Sequence, residues 1–155
     1  MMEYLAIKVV HIISSVLLVG TGFGTAFYLF FANRSRSVEA IAVVSRLVVR
    51  ADWWFTTPAV IIQPLSGAYM LHLAGYPLNA FWIVASAALY ALAGICWLPV
   101  VWYQIRMHRM AVEAHAQGTA LPDLYWRYAR RWELLGYPAF IAMVVVFALM
   151  VMKPM

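Results

Sequence analysis

The sequence predicts an all-α polytopic membrane protein built as a four-transmembrane-helix bundle. Two compositional facts and one pattern carry that expectation. Of 155 residues, 66% are hydrophobic and only 11% are charged. A soluble domain carries about 25% charged residues, and no soluble core of this length could hide so much apolar surface. The pattern is the placement of arginine, which alternates by loop.

A bilayer core about 30 Å thick requires about 20 apolar residues in helix. Four stretches meet that need, at about 5–31, 53–74, 80–103 and 134–152. None alternates with period two, which argues against a barrel. Backbone N–H groups in lipid must bond within their own segment, so the stretches are read as helices. The first is too long for a cleaved signal peptide, and Glu3 stands where a basic leader region would lie. The whole chain, 1–155, is therefore expected to be a single transmembrane domain.

Orientation follows from charge. Arg34, Arg36, Arg46 and Arg50 fall in the loop 32–52, and Arg106, Arg109, Arg127, Arg130 and Arg131 in the loop 104–133. The opposite side holds only Lys8 and Lys153. This is the positive-inside pattern. It puts both loops in the cytoplasm and both termini outside, as in a periplasm-facing bacterial inner-membrane protein. The net charge of +5 is thus a topology and lipid signal, with no nucleic-acid role. Expected partners are the bilayer and a homo-oligomer or other membrane subunit.

Span one carries Gly20, Gly22 and Gly24 with Thr21 and Thr25. Small residues permit close helix packing in lipid, or leave room for a flat cofactor. In the first loop Val38, Ile41, Ala42, Ser45 and Val49 recur at helical spacing and predict an interfacial helix. Asp52, Trp53 and Trp54 mark the entry of span two. Pro58 and Pro64 each remove an N–H and crowd the preceding turn, so a bend is expected. Gln63 is a polar amide in the apolar interior and requires a partner on another helix, a water or a ligand.

The run from Gly75 to Asn79 predicts a tight turn. Span three continues as a loop-side helix through Arg106 to His115, and Gly118 ends it. Asp123, after Pro122, is expected to cap the last helix, which Pro138 should kink. The single cysteine, Cys96, allows no internal disulfide and reads as a packed hydrophobe.

The chemistry rests on histidine. His108 and His115 lie among loop charges and are expected to be solvated. His11 and His72 lie inside spans one and two, at depths expected to differ by about 5 Å. Facing inward, the two rings would approach one site. A b-type haem suits such a pair, because neutral imidazole ligates iron and the macrocycle is apolar. Lys8, one turn before His11, would meet a propionate; Ser14 and Ser15 would orient His11; Tyr69 and Gln63 would line the site. Two other readings stay open. The histidines serve as interhelical hydrogen bonds in a non-catalytic subunit or scaffold, or the nine methionines signal copper handling. No nucleophile triad, phosphate loop or metalloprotease motif is present.

The run from Lys8 to Ser15, the run from Gly20 to Thr25, Ala51-Asp52-Trp53, and Gln63-Pro64-Leu65-Ser66-Gly67 resemble a bacterial family of predicted integral membrane proteins known only as a domain of unknown function. The segments Cys96–Trp102 and Gln104–Met107 fit that family as well, so the resemblance spans essentially the whole chain. More distantly, Lys8-x-x-His11-Ile12-Ile13 is similar to the first span of HemJ-type protoporphyrinogen IX oxidases and of CopD-like copper-associated membrane proteins. The HemJ-type resemblance implies haem b with His11 as an axial ligand. Those proteins carry a functional lysine on the third span, whereas 80–103 here contains neither lysine nor arginine. The expectation from sequence is therefore a haem-binding membrane protein that transfers electrons or oxidises a porphyrin or quinol, with His11 and His72 as ligands.

Overall fold

A computed structural model describes residues 2–154; Met1 and Met155 of the expected single domain lie outside the described residues. The described residues form five α-helices and no strand: α1 (Met2–Ser35), α2 (Val38–Ala51), α3 (Thr57–Ala74), α4 (Phe81–Gln117) and α5 (Asp123–Met152). Between α2 and α3 the chain passes through a π-helical segment, Asp52–Thr56. Three helices, α1, α4 and α5, are long and apolar enough to cross a membrane. α3 is not among them: it has 18 residues, and Gln63, Pro64, Ser66 and His72 dilute its apolar character.

The helix ends follow their chemistry. Ser37 accepts a hydrogen bond from the backbone N–H of Ala40 and caps α2. Gly75 and Gly118 end α3 and α4 in the left-handed conformation, which glycine adopts without a Cβ penalty. Asp123 does not cap α5. The cap position belongs to Pro122, and Asp123 falls in the first helical turn, where its charge still suits the helix dipole. α5 continues through Pro138 as one helix.

The π-helical segment has an identifiable cause. Pro58 cannot donate the N–H that the turn before it would use. The chain widens there instead, and Thr57 donates to the carbonyl of Asp52, five residues back. This puts Asp52 and Thr56 on the buried side and leaves Trp53, Trp54 and Phe55 exposed.

Packing differs between the two ends of the molecule. At the loop end, α2 lies against α1 and α4, and the first half of α5 runs along α4. Leu29, Ile41, Val48, Met107, Ala111 and Tyr125 are almost wholly buried there. The buried stripe of α2 is Ile41, Ala42, Ser45 and Val48; of the expected stripe, Val38 is only half-buried and Val48 takes the place of Val49. α2 therefore spends its apolar face on protein. Tyr125 donates to Asn33 Oδ1 at 2.6 Å and ties α5 to α1. Toward the other end α1 packs on α3 and α4 on α5, while α1 barely meets α5. Large side chains such as Leu65, Ile95 and Val151 stand exposed all round the apolar segments. A surface of that kind is matched to hydrocarbon.

Candidate functional site

Two constructions involve polar groups within the apolar part of the bundle. The first is the contact of α1 with α3. His11 Nδ1 lies 2.9 Å from Ser66 Oγ, and His11 Nε2 lies 3.1 Å from Gln63 Nε2. The Ser66 hydroxyl donates to the Ile62 carbonyl at 2.7 Å, so it accepts from a protonated Nδ1. Nε2 then carries the lone pair and accepts from the Gln63 amide. Ring and helix meet closely, because a Cβ on Gly67 would stand 3.2 Å from His11 Cε1. One turn deeper Ser14 donates to the carbonyl of Ala59 at 3.2 Å. These bonds clamp α1 to α3.

Several expected site residues take other positions. Ser66, which sequence reasoning overlooked, orients His11; Ser14 and Ser15 instead bond backbone carbonyls. Gln63 does find its interhelical partner, and that partner is His11. Lys8 is exposed, and the Tyr69 hydroxyl turns outward to donate to Glu3. The register sets His11 level with Ser66 and Gly67, so His72 lies about 8 Å further along α3. His72 is exposed and makes no side-chain hydrogen bond among the described residues. His108 is half-buried against Ser45 Oγ at 3.1 Å, where full solvation was expected. Burial first, then the charges of Arg46 and Arg109, hold its imidazole below the ordinary value of 6.5.

The second construction is a chamber of about 430 Å³ between the α1–α3 and α4–α5 pairs. Its wall is aromatic, with Phe23 and Phe27 from α1, Trp97 from α4, and Trp132 and Phe140 from α5. Gly22, Gly94 and Gly136 each contribute bare backbone, and a Cβ on any of them would meet nothing within 4 Å. Gly20 and Gly24 also have open space, so none of the span-one glycines serves a close helix contact here. Where α1 and α5 come together, Phe23 stacks on Phe140 at 5.1 Å between ring centres.

One part of the wall is polar. Asp52, Thr56 and Gln104 line it and are 5%, 2% and 5% exposed. Thr56 donates to Asp52 Oδ1 at 2.9 Å. Asp52 Oδ2 and Gln104 Oε1 are buried with no hydrogen-bond partner. Sequence reading took Asp52 for a membrane-entry residue and overlooked Gln104. The available signal was Asp52-x-x-x-Thr56 ending two residues before Pro58, a place where a helix must rearrange its bonding.

The haem expected from the sequence requires a free ligating nitrogen and a slot for a macrocycle in one place. Both His11 nitrogens are engaged by α3, the Gly67 backbone abuts the ring, and no histidine lines the chamber. The residues as arranged do not fit haem b. No group of three or more histidine, cysteine, aspartate or glutamate side chains suited to a metal occurs among the described residues. Of the methionines noted for copper, Met143 lines the chamber, while Met150 and Met152 are exposed.

An all-α chain with membrane-length helices, lipid-matched flanks and interhelical polar clamps is an integral membrane protein. Residues 5–154 match the family described as predicted integral membrane protein (DUF2269), and the chain belongs to that family. No curated protein and no solved structure matches it.

Proposed function

We propose that this protein binds a lipid-soluble molecule in the chamber between its helix pairs. α3 serves as a fourth span, and the arginine-bearing loops face the cytoplasm of a bacterial inner membrane. The observation that carries the reading is the chamber: about 430 Å³, walled by aromatic and aliphatic side chains, with a small polar patch at one place. That combination is the usual form of a small-molecule site, in which apolar walls supply affinity and a few polar groups supply orientation. The weak α1–α5 contact offers a lateral entrance from the bilayer, with the Phe23–Phe140 stack across it. A redox role would belong to the bound molecule, because His11 acts as a clamp and not as an available ligand.

The test is chemical analysis of what the protein retains. Purified protein is washed extensively in detergent, extracted with organic solvent, and the extract analysed by mass spectrometry beside the Gly94→Leu/Gly136→Leu variant. A Cβ at either position meets nothing within 4 Å, so the variant should fold and melt as the parent does while its chamber is filled. The parent should yield a discrete lipid-soluble species that the variant lacks. Identical extracts from two folded proteins would refute the chamber as a binding site.

A further inference from the structure

The chamber's polar patch holds two side-chain acceptors without a partner. Three hydroxyl groups on its wall are already committed. Thr25 donates to the carbonyl of Thr21 at 2.8 Å, Tyr90 to the carbonyl of Val60 at 2.7 Å, and Thr56 to Asp52 Oδ1 at 2.9 Å. What remains without a partner is a pair of acceptors, Asp52 Oδ2 and Gln104 Oε1. No lysine or arginine lines the chamber to neutralise the carboxyl group. A second cavity of about 270 Å³, on the α2 side, shares Asp52, Trp97 and Gln104 with the chamber. The two oxygens thus lie between two hollows, and protein atoms fill neither.

Buried acceptors left unpaired are destabilising. Native proteins retain such groups where a ligand, water or ion completes them. The π-helical segment strengthens the inference. Pro58 brings it about, and irregular turns of this kind recur at functional sites. Here it is the feature that turns Asp52 and Thr56 inward together.

We infer that Asp52 and Gln104 select a ligand whose polar head is a hydrogen-bond donor, a hydroxyl-bearing amphiphile such as a long-chain phenol or alcohol, over the same body ending in an ether or ketone. The inference rests on the chamber reading and adds the chemistry of the head. The apolar body lies among Phe23, Phe27, Trp97 and Phe140, and the hydroxyl donates to Asp52 Oδ2 or Gln104 Oε1. A head group with only acceptors would leave both oxygens unpaired. A site built to pair a hydroxyl discriminates strongly against the analogue that cannot donate.

The probes are radiolabelled 4-nonylphenol and 4-nonylanisole, which differ only by O-methylation. Binding of each is measured by equilibrium dialysis against detergent-solubilised full-length protein, the Gly94→Leu/Gly136→Leu variant, Asp52→Asn and Gln104→Leu. The parent should hold the phenol at least about tenfold more tightly than the anisole. Asp52→Asn replaces an acceptor with an NH₂ donor and should abolish or invert that preference. Gln104→Leu should weaken it several-fold, and stands in for Asp52→Asn if that variant does not fold. Equal binding of both probes, lost in the chamber-filled variant, would overturn the head-group inference and leave the chamber reading standing. A preference for the phenol that persists in Asp52→Asn and Gln104→Leu would also overturn it. Failure of both probes to bind the parent would overturn both.

Discussion

The contact of α1 with α3 and the gap between α1 and α5 set two solutions of one physical problem side by side. Both face apolar surface toward hydrocarbon, which offers no hydrophobic drive for helices to associate. The first is closed by polar chemistry: the imidazole of His11 is held from both sides by Ser66 and Gln63, and Ser14 reaches the Ala59 carbonyl. The second has the Phe23–Phe140 stack within the apolar segments, with a cavity behind it, and its hydrogen bond from Tyr125 to Asn33 lies at the loop end. In lipid, therefore, a helix pair is sealed where polar groups demand each other. Where the side chains are merely apolar, lipid competes with protein on equal terms. His11, expected from the sequence as a cofactor ligand, is bonded by Ser66 and Gln63 and closes one seam, while the other is the entrance proposed for a ligand.

That contrast is broken most forcefully at His11. His11→Leu removes both interhelical bonds and leaves the Gln63 amide unpaired, beside a Gln63 Oε1 that already lacks a partner. The expected loss is about 2–3 kcal/mol of stability, read as a lowered detergent melting temperature. Chamber-filling at Gly94 should leave the melt almost unchanged. A His11→Leu protein as stable as the parent would mean that the clamp does not hold the seam. Gly67→Val attacks the same seam by volume, since even a Cβ would stand 3.2 Å from the ring.

A smaller effect is expected at the loop end, where the helix pairs are joined. Tyr125→Phe deletes the hydroxyl that Asn33 Oδ1 accepts, and the Asn33 amide nitrogen is already unpartnered. The phenol is fully buried, so no water replaces it. Loss of about 1–2 kcal/mol is expected, measured by thermal or denaturant melting. Ring packing is retained, so the change isolates the bond. An unchanged melt would show that α5 is held to the rest by apolar packing alone.

What could be read from the sequence divides along the same line. Helical period, terminating glycines and the α2 stripe are local signals, and Gly75, Gly118, Ile41, Ala42 and Ser45 appear where those signals put them. That Gln63 needed an interhelical partner was also legible, because an amide in an apolar span has few alternatives. Its choice of His11 was not, since the partner depends on the register of α1 against α3. The expected pairing of His11 with His72 failed for that reason: counting depth from the span ends misjudged the offset that Ser66 and Gly67 fix. The chamber was invisible altogether. It arises from how two helix pairs splay, and no periodicity in one helix reports the distance to another. Asp52 looked like an interface residue because the π-helical turn that buries it depends on Pro58, six residues later.

The mildest prediction concerns His108, and it sharpens the comparison by testing a histidine outside the apolar seams. Its half-buried ring meets Ser45, and burial together with Arg46 and Arg109 disfavours the imidazolium. The folded-state value therefore lies below the unfolded one. Between those two values the unfolded chain binds more protons, so stability rises with pH across that window. The contribution is fully present above about 6.5 and is lost as pH falls from there toward the folded-state value. Melting temperature should accordingly drop between pH 7.5 and pH 5.5, and His108→Gln should flatten part of that drop while keeping a hydrogen-bonding group toward Ser45. Because the ring is partly exposed, solvent screens the effect, and the shift should be smaller than that of either His11→Leu or Tyr125→Phe. A slope unaffected by His108→Gln would assign the acid sensitivity to another group and would mean that the α2–α4 contact tolerates a charged imidazole.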